Sequence, residues 1–177
     1  MSKTLSVVIV SSLLLSSCTE SRDAFSITLL RQKTSAGKNV GSQETVPVGT
    51  TFRKNELVAI QVQIPKTGFF YAFQADDQGT FDVLYPPASG SPAMQSGKAL
   101  RLPVEDELWL GFISSSVTLA WSPQRIESLE LAIDRSEVEK DSIRAIRDPE
   151  DARKLEGELT RLLKSNLSVK RIELKVD

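Results

Sequence analysis

An alternation of apolar and polar residues in the middle of the chain constrains the fold more than any other feature. In the segment Glu56–Ile64 (ELVAIQVQI), every second residue from Val58 onward is a branched aliphatic, and Gln61 and Gln63 stand between them. A period of two is typical of a β-strand that buries one face and exposes the other to water. We therefore predict an antiparallel strand here, and a β-rich fold around it.

Two hairpins follow from the segments downstream of this strand. Phe69–Ala75 (FFYAFQA) is apolar on both faces at first, which favours a central strand. Asp76–Gly79 (DDQG) has the composition of a turn, and Thr80–Pro86 (TFDVLYP) returns as the partner strand. Leu108–Ile113 and Val117–Ser122 are predicted to form a second hairpin.

The remaining β signals lie near the two ends of the chain. Phe25–Arg31 predicts a first strand, and Val169–Val176 predicts a closing strand with Ile172, Leu174 and Val176 inward. Gln32–Thr50 is polar and rich in Gly, Ser and Thr, so we expect mostly loop, with a short strand near Thr45–Val48. Pro86–Gly97 (PPASGSPAMQSG) is expected to be a long loop on the surface.

Helix signals appear in the last third of the chain. Ser122 and Pro123 can serve as the N-cap and first residue of a helix that turns Ile126, Leu129 and Ile133 inward. Asp148 and Pro149 begin a second helix, which Asn166 can end. Its inward face is predicted to hold Ala152, Leu155, Leu159, Leu162 and Leu163.

Together these elements predict a mainly β fold with C-terminal α structure. We expect an antiparallel β-sandwich-like or partly open barrel core of about seven to nine strands, with one or two packed helices. Residues 25–177 are predicted to be one domain, consistent with a chain of 177 residues. Within it, residues 51–131 form a core that resembles a known family, and residues 132–177 supply a helix and the closing strand.

The N-terminal residues have the organisation of a secretion signal. Lys3 is followed by eleven mostly apolar residues, Leu5–Leu15, which is too short for a membrane-spanning helix of about 20 residues. Leu15-Ser16-Ser17-Cys18 resembles a bacterial lipobox, and Cys18 is the only cysteine in the chain. The resemblance implies a signal peptide over residues 1–17, cleavage before Cys18, acylation of Cys18, and a short tether over residues 18–24.

Two other interpretations of the N-terminus compete with lipidation. An apolar helix could bury a free thiol, or an ordinary signal peptidase could cut nearby and leave Cys18 unpaired in an oxidising compartment. Acylation would instead give several acyl chains, enough for stable anchoring. Thr19, not Asp, follows the cysteine, which by resemblance to Gram-negative sorting predicts the outer membrane, on its periplasmic or surface side.

Composition removes several classes of function. The chain has no histidine and one cysteine, which excludes His-based catalysis, His-containing zinc sites and internal disulfides. Lys and Arg number 22 against 23 Asp and Glu. This near-neutral balance argues against nucleic acid as a partner and against polybasic adhesion to lipid headgroups.

One stretch resembles a known family. Thr51–Pro87 combines an apolar strand, a Gly-aromatic strand (GFFYAF), an Asp-Gly turn (DDQG) and a strand ending in LYPP. In this it is similar to the bacterial domain of unknown function 4384, and the similarity extends over Phe52–Leu131. The resemblance implies a binding or structural module found in envelope lipoproteins, with no catalytic residue to transfer.

Several polar and aromatic residues are candidates for a site. Asp76 and Asp77 could bind calcium, but turn chemistry explains them as well, and Glu105–Glu107 fits a solvated loop. Tyr71, Tyr85, Trp109 and Trp121 could line a groove or lie in the core. The residues we predict to contact a protein partner are Tyr85, Pro86, Pro87, Pro92, Met94 and Trp109.

These observations predict a non-enzymatic envelope lipoprotein. We expect an interaction, assembly or accessory module of a secretion or surface complex, anchored through Cys18 and bound to an envelope protein. The alternative is a lipoprotein that holds a glycan, peptide or lipid on an aromatic sheet face. No cofactor, metal or catalytic residue is predicted.

Overall fold

The computed structural model describes residues 25–35, 38–104, 115–138, 144–165 and 168–177. In these ranges the chain forms twelve strands and two helices. The strands are β1 (Ser26–Ser35), β2 (Lys38–Val46), β3 (Thr51–Phe52), β4 (Glu56–Ile64), β5 (Gly68–Ala75), β6 (Phe81–Tyr85), β7 (Ala93–Met94), β8 (Lys98–Leu102), β9 (Ser115–Ser122), β10 (Glu137–Val138), β11 (Arg144–Ile146) and β12 (Ser168–Val176). The helices are α1 (Glu127–Asp134) and α2 (Pro149–Leu163).

The strands form two sheets, neither of which closes into a barrel. The smaller sheet has the order β2-β1-β4-β8, and the larger has the order β10-β11-β6-β5-β9-β12-β3, with β7 beside β5. All pairs are antiparallel except the short contact between β12 and β3. The predicted sandwich-like β fold with packed helices is therefore confirmed.

One hydrophobic core lies between the two sheets. Alternate residues of β4, from Val58 to Ile64, point into it, and Val62 is fully buried. Phe70 and Ala72 meet them from β5, and the Phe70 ring lies edge-on to Phe25, with 5.6 Å between the ring centroids. The branched aliphatic residues of this alternation thus form part of the inner face of the sandwich, while Gln61 and Gln63 are exposed.

A second core separates the larger sheet from the helices. Tyr71 and Phe73 of β5 point to the side opposite Phe70 and Ala72, and pack with Leu129 of α1 and Leu159 of α2. The molecule therefore has three layers, with β5 and β9 at the centre. This explains why the segment 69–75 is apolar on both faces.

The β5–β6 hairpin and the second helix agree with the sequence. β5 pairs with β6, and Gly79 in the connecting turn has a φ of 79°, which favours glycine. Asp148 caps α2 by accepting hydrogen bonds from the backbone N–H groups of Glu150 and Asp151. Four of the five predicted inward residues of α2 are buried, and Leu163 is half-buried.

The first helix begins later than predicted. Ser122 is the last residue of β9, and α1 starts at Glu127 after an N-cap at Ile126 that has no side-chain cap. The Ser122 hydroxyl accepts a hydrogen bond from the Gln124 N–H, which closes a local turn and not a helix. Leu129 and Ile133 nonetheless face the core as expected.

The described residues form more strands than the sequence predicts, and much of the segment Gln32–Thr50 is strand and not loop. β1 continues to Ser35 and β2 is a nine-residue strand, because both segments complete an antiparallel pair that polar composition hides. β3, β7 and β10 have two residues each, below what periodicity can detect. β9 includes the predicted strand Val117–Ser122, whereas its expected partner Leu108–Ile113 lies outside the described residues.

Candidate functional site

A cleft of about 280 Å³ opens where the segment after β6 meets α1 and β11. We call it the loop cleft. Two of its walls carry charged side chains, and the third is made by the proline-containing loop. Its lining residues are Pro86, Gly90, Ser91, Pro92, Arg125, Glu130, Ile133, Asp134 and Arg144.

The loop wall is held in place by contacts with the core. The Tyr85 hydroxyl lies 3.2 Å from the Ser91 carbonyl oxygen and 3.0 Å from the Met94 sulfur. The backbone N–H of Phe70 donates to the Pro92 carbonyl oxygen at 2.8 Å. These contacts tie the loop to β5 and β6, so the shape of the cleft is set by the sheet.

Arg144 joins the loop to the end of α1. Its two terminal nitrogens donate to the carbonyl oxygens of Ala88, at 2.7 Å, and Ile133, at 3.2 Å. The Nε atom is buried and has no hydrogen-bond partner among the described residues. The guanidinium therefore links two backbone segments that are far apart in sequence.

A second polar network lies at the base of α1. The buried Tyr71 hydroxyl donates to Glu130 at 2.9 Å and accepts a hydrogen bond from the Ile126 N–H at 3.2 Å. Burial is the main cause that raises the pKa of Tyr71 to about 12, and the Glu130 carboxylate raises it further. Arg125 pairs with Glu130 at 2.8 Å, with its guanidinium 5.3 Å from the centroid of the Phe69 ring.

The predicted partner-binding residues are distributed differently from what the sequence indicated. Tyr85 and Met94 are core residues with 7% of their surface exposed. Pro86 and Pro92 are also buried and line the loop cleft, which leaves Pro87 exposed. Trp109 and Cys18 lie outside the described residues. Most of residues 86–97 are exposed, as expected for a surface loop, but Pro86, Pro92 and Met94 are buried.

The other candidates serve the fold. Tyr71 and Trp121 point into the two cores and do not form an exposed aromatic face. Asp76 accepts hydrogen bonds from the backbone N–H groups of Gln78 and Thr80 and from the Thr80 hydroxyl, which confirms the turn interpretation. Asp77 is exposed, and the acidic cluster Glu105–Glu107 lies outside the described residues.

A larger concavity of about 470 Å³ lies between the first turns of α2 and the larger sheet. We call it the helix cleft; its volume is within the usual range for small-ligand sites. Arg147 donates hydrogen bonds to Thr80 and Asp82, and Arg171 forms a bidentate ion pair with Glu156. Arg153 is exposed at the rim.

Sequence reasoning missed the charged residues of both clefts. Arg144 is distant in sequence from Arg125 and Glu130, and Arg171 is distant from Arg147 and Arg153. Neither set shares a spacing or a motif that could have indicated it. Only the antiparallel pairing of β11 with β6 and the packing of α1 and α2 bring these residues together.

Two further features are absent from the described ranges. No group of three or more Asp, Glu, His or Cys side chains is placed to hold a metal ion there. Neither described helix has the length and apolar character needed to cross a bilayer.

Comparisons of the chain with protein-family models, with curated proteins and with solved structures found no match. The resemblance of Thr51–Pro87 to domain of unknown function 4384 therefore stays a prediction from the sequence.

Proposed function

We propose that the protein is a lipid-anchored protein of the bacterial cell envelope, and that its folded domain is a non-enzymatic interaction or accessory module. The observation that carries the proposal is Leu15-Ser16-Ser17-Cys18 after an eleven-residue apolar segment. A lipobox of this kind explains why the one thiol of the chain stands at this position.

The start of the folded domain supports an anchor at Cys18. Phe25 is 1% exposed and packs against Phe70, so a core residue lies seven positions after the cysteine. Acyl chains on Cys18 can therefore enter a membrane without drawing any core residue out of the domain.

The chemistry of the loop cleft supports a binding role over a catalytic one. The Glu130 carboxylate is engaged by both Tyr71 and Arg125, and Arg144 is engaged by two carbonyl oxygens. The raised pKa of Tyr71, about 12, holds its hydroxyl protonated at neutral pH. General acid–base catalysis favours a pKa near the working pH, so these groups are better suited to holding a fixed surface.

The expected location is the outer membrane, on the periplasmic or surface side, with another envelope protein as the partner. Thr19 after the lipidated cysteine supports this sorting by resemblance. At the loop cleft, the exposed residues available to a partner include Gly90 and Ser91. A secretion or surface complex is the kind of assembly we propose it serves.

The lipid anchor is tested by changing Cys18→Ser in the full chain. We expect the wild-type protein to be cut before Cys18, to carry acyl chains by intact mass, and to remain with the membranes. The Cys18→Ser protein should lack the acyl mass and leave the membrane fraction or stay unprocessed, because the sulfur that receives the lipid is gone.

Ser17→Ala is the matched control, since alanine keeps a small residue at that lipobox position. It should be acylated and membrane-bound like the wild type. A Cys18→Ser protein that is processed and still sediments with membranes would contradict the proposal.

A further inference from the structure

The point at which the tether joins the folded domain is fixed by three contacts. The Phe25 side chain is buried against Phe70. The Lys170 ammonium donates to the Phe25 carbonyl oxygen at 3.2 Å and lies 5.2 Å from the centroid of its ring. The chain therefore leaves the domain at a defined place, where β1 and β12 come together.

Both sheets end at this place, which we call the tether end. Strand β1 starts opposite Gln63 of β4, and Ile64 lies opposite Lys98 of β8. In the larger sheet, Phe69 pairs with Ser122, and Ser168 pairs with Trp121. The tether end comprises residues 25–28, 61–70, 94–100, 119–124 and 168–170.

Every charged residue of the tether end is a lysine. Lys66 and Lys98 are exposed and make no ion pair with any residue in the described ranges, and Lys170 is half-buried. The nearest acids on α1 are Glu127 and Glu130, and the latter is paired with Arg125. The nearly neutral charge of the whole chain therefore hides a local excess of positive charge.

The opposite end of the sheets has no such excess. Lys33, Arg53, Lys54 and Lys175 are exposed there, but four acids lie at the same end, namely Glu56, Asp76, Asp77 and Asp177. The two ends thus differ in charge, and Lys54 and Lys175 provide a pair of exposed lysines to compare with Lys66 and Lys98. This difference allows a matched experiment.

The tether keeps the lysine-rich end close to the bilayer. Six residues, Thr19–Ala24, separate Cys18 from Phe25, and a fully extended chain would span roughly 25 Å. These residues include Glu20, Arg22 and Asp23, whose charges sum to −1, against +2 for the exposed Lys66 and Lys98. Positive charges held this near the surface are attracted to anionic lipids.

We propose that the tether end docks on the anionic phospholipid headgroups of the bilayer that holds the anchor, so that the domain has a fixed orientation on the membrane. This inference rests on the lipid anchor proposed above. Lys66 and Lys98 supply the contact, and the end that carries Lys54 and Lys175 faces away. The helix cleft, which is lined by Asp76 and Thr80 of the opposite end, then remains open to the aqueous side.

The test measures how close the tether end lies to the lipid surface. The full chain is purified from membranes and its intact mass establishes acylation of Cys18, which tests the anchor separately from the docking. Acylation blocks the thiol of Cys18, which is the only native cysteine. Gln95→Cys therefore provides a single exposed thiol for labelling at the tether end. Energy transfer from this label to a headgroup-labelled lipid reports the distance.

Vesicles of phosphatidylcholine alone are compared with vesicles that also contain phosphatidylglycerol. We expect transfer to be about twofold higher on the anionic vesicles, and the gain to disappear at high salt. Lys66→Glu with Lys98→Glu should abolish the gain, and Lys66→Gln with Lys98→Gln should reduce it. Lys54→Glu with Lys175→Glu, which makes the same change in net charge, should retain it.

Two results would overturn the docking while leaving the anchor intact. One is an acylated protein that gives equal transfer on neutral and anionic vesicles. The other is a gain lost equally in the tether-end and opposite-end charge reversals. All four lysines are exposed, and circular dichroism of each variant verifies that the fold is kept.

Discussion

The two aspartates of the β5–β6 turn are neighbours in sequence but differ in what their side chains do. Asp76 accepts three hydrogen bonds, at 2.6 to 3.0 Å, from Thr80 and Gln78. Partial burial alone would raise the pKa of Asp76, but these bonds and the nearby Arg147 outweigh it and lower the pKa below its ordinary value. Asp77 is exposed.

Asp76→Asn should therefore destabilise the protein, and Asp77→Asn should not. Replacing a carboxylate that accepts several hydrogen bonds costs about 1 to 2 kcal/mol at neutral pH. Because the folded pKa of Asp76 is lowered, its contribution is fully present above the unfolded value of about 3.9 and is lost as pH falls through the folded value. Urea unfolding at several pH values measures both effects.

Equal destabilisation by the two asparagine variants would contradict this account. So would a loss of stability in Asp76→Asn that stays unchanged down to strongly acidic pH. If either variant folds normally but abolishes function in the cell, the turn carboxylates have a chemical role that hydrogen bonding in the turn does not explain.

At the scale of single residues, the sequence predicts burial well where a period is present and poorly where it is not. Val62 and Ile172 are buried as their alternation indicates. Pro86, Pro92 and Met94 lie in a segment with the composition of an exposed loop, yet they are buried. Their burial depends on a hydrogen bond between Phe70 and Pro92 and on a contact between Tyr85 and Met94, which no local pattern reveals.

At the scale of elements, α2 carries its start signal in its own sequence. The Asp148 side chain accepts from the N–H groups of Glu150, at 3.0 Å, and Asp151, at 2.9 Å, and Pro149 occupies the first turn. Strand β2 has no comparable signal, since it is a polar edge strand that pairs with β1 alone. Elements that form through local capping were predictable, and elements that form by pairing at an edge were not.

Removing this cap tests how far α2 depends on it. Asp148→Ala deletes both hydrogen bonds at the N-terminus and should lower the free energy of unfolding by about 1 kcal/mol. Asp148→Asn keeps an acceptor in the same place and should cost much less, because Asn and Asp cap helices about equally well. The urea concentration at the midpoint of unfolding measures the difference, provided that the slope of the unfolding free energy against urea is unchanged.

An equal loss of stability in Asp148→Ala and Asp148→Asn would mean that the charge of Asp148, and not its hydrogen bonds, stabilises the helix. In that case the effect should diminish with added salt, as expected for a charge near a helix dipole. An unchanged midpoint in Asp148→Ala would mean that packing of Leu155 and Leu159 alone determines the stability of α2.

At the scale of the whole molecule, the sequence predicts a sandwich-like fold but does not reveal the order of the layers. The apolar character of β5 on both faces indicates a central strand. That its second face packs against α1 and α2, and its first against the smaller sheet, follows from the topology of both sheets. The clefts depend on this arrangement, because their charged residues meet only at the junctions between the helices and the larger sheet.

The three-layer arrangement leads to a prediction about how the domain unfolds. Strand β5 contributes Phe70 to the core between the sheets and Tyr71 to the core under the helices. While β5 stays in place, a core can lose its packing only if the outer layer on that side of β5 detaches. We therefore expect a single cooperative transition in which both cores are lost together.

The same substitution in each core tests this cooperativity. Leu102 of β8 and Leu159 of α2 are both fully buried, one in each core. Leu102→Ala and Leu159→Ala should each cost about 2 to 5 kcal/mol and should each lower one shared melting temperature. Heat unfolding followed by helical and by aromatic circular dichroism should give coincident curves in every variant. If Leu159→Ala loses its helical signal in a separate, earlier step while the aromatic signal persists, the helices are an independently unfolding layer, and the sandwich is stable without them.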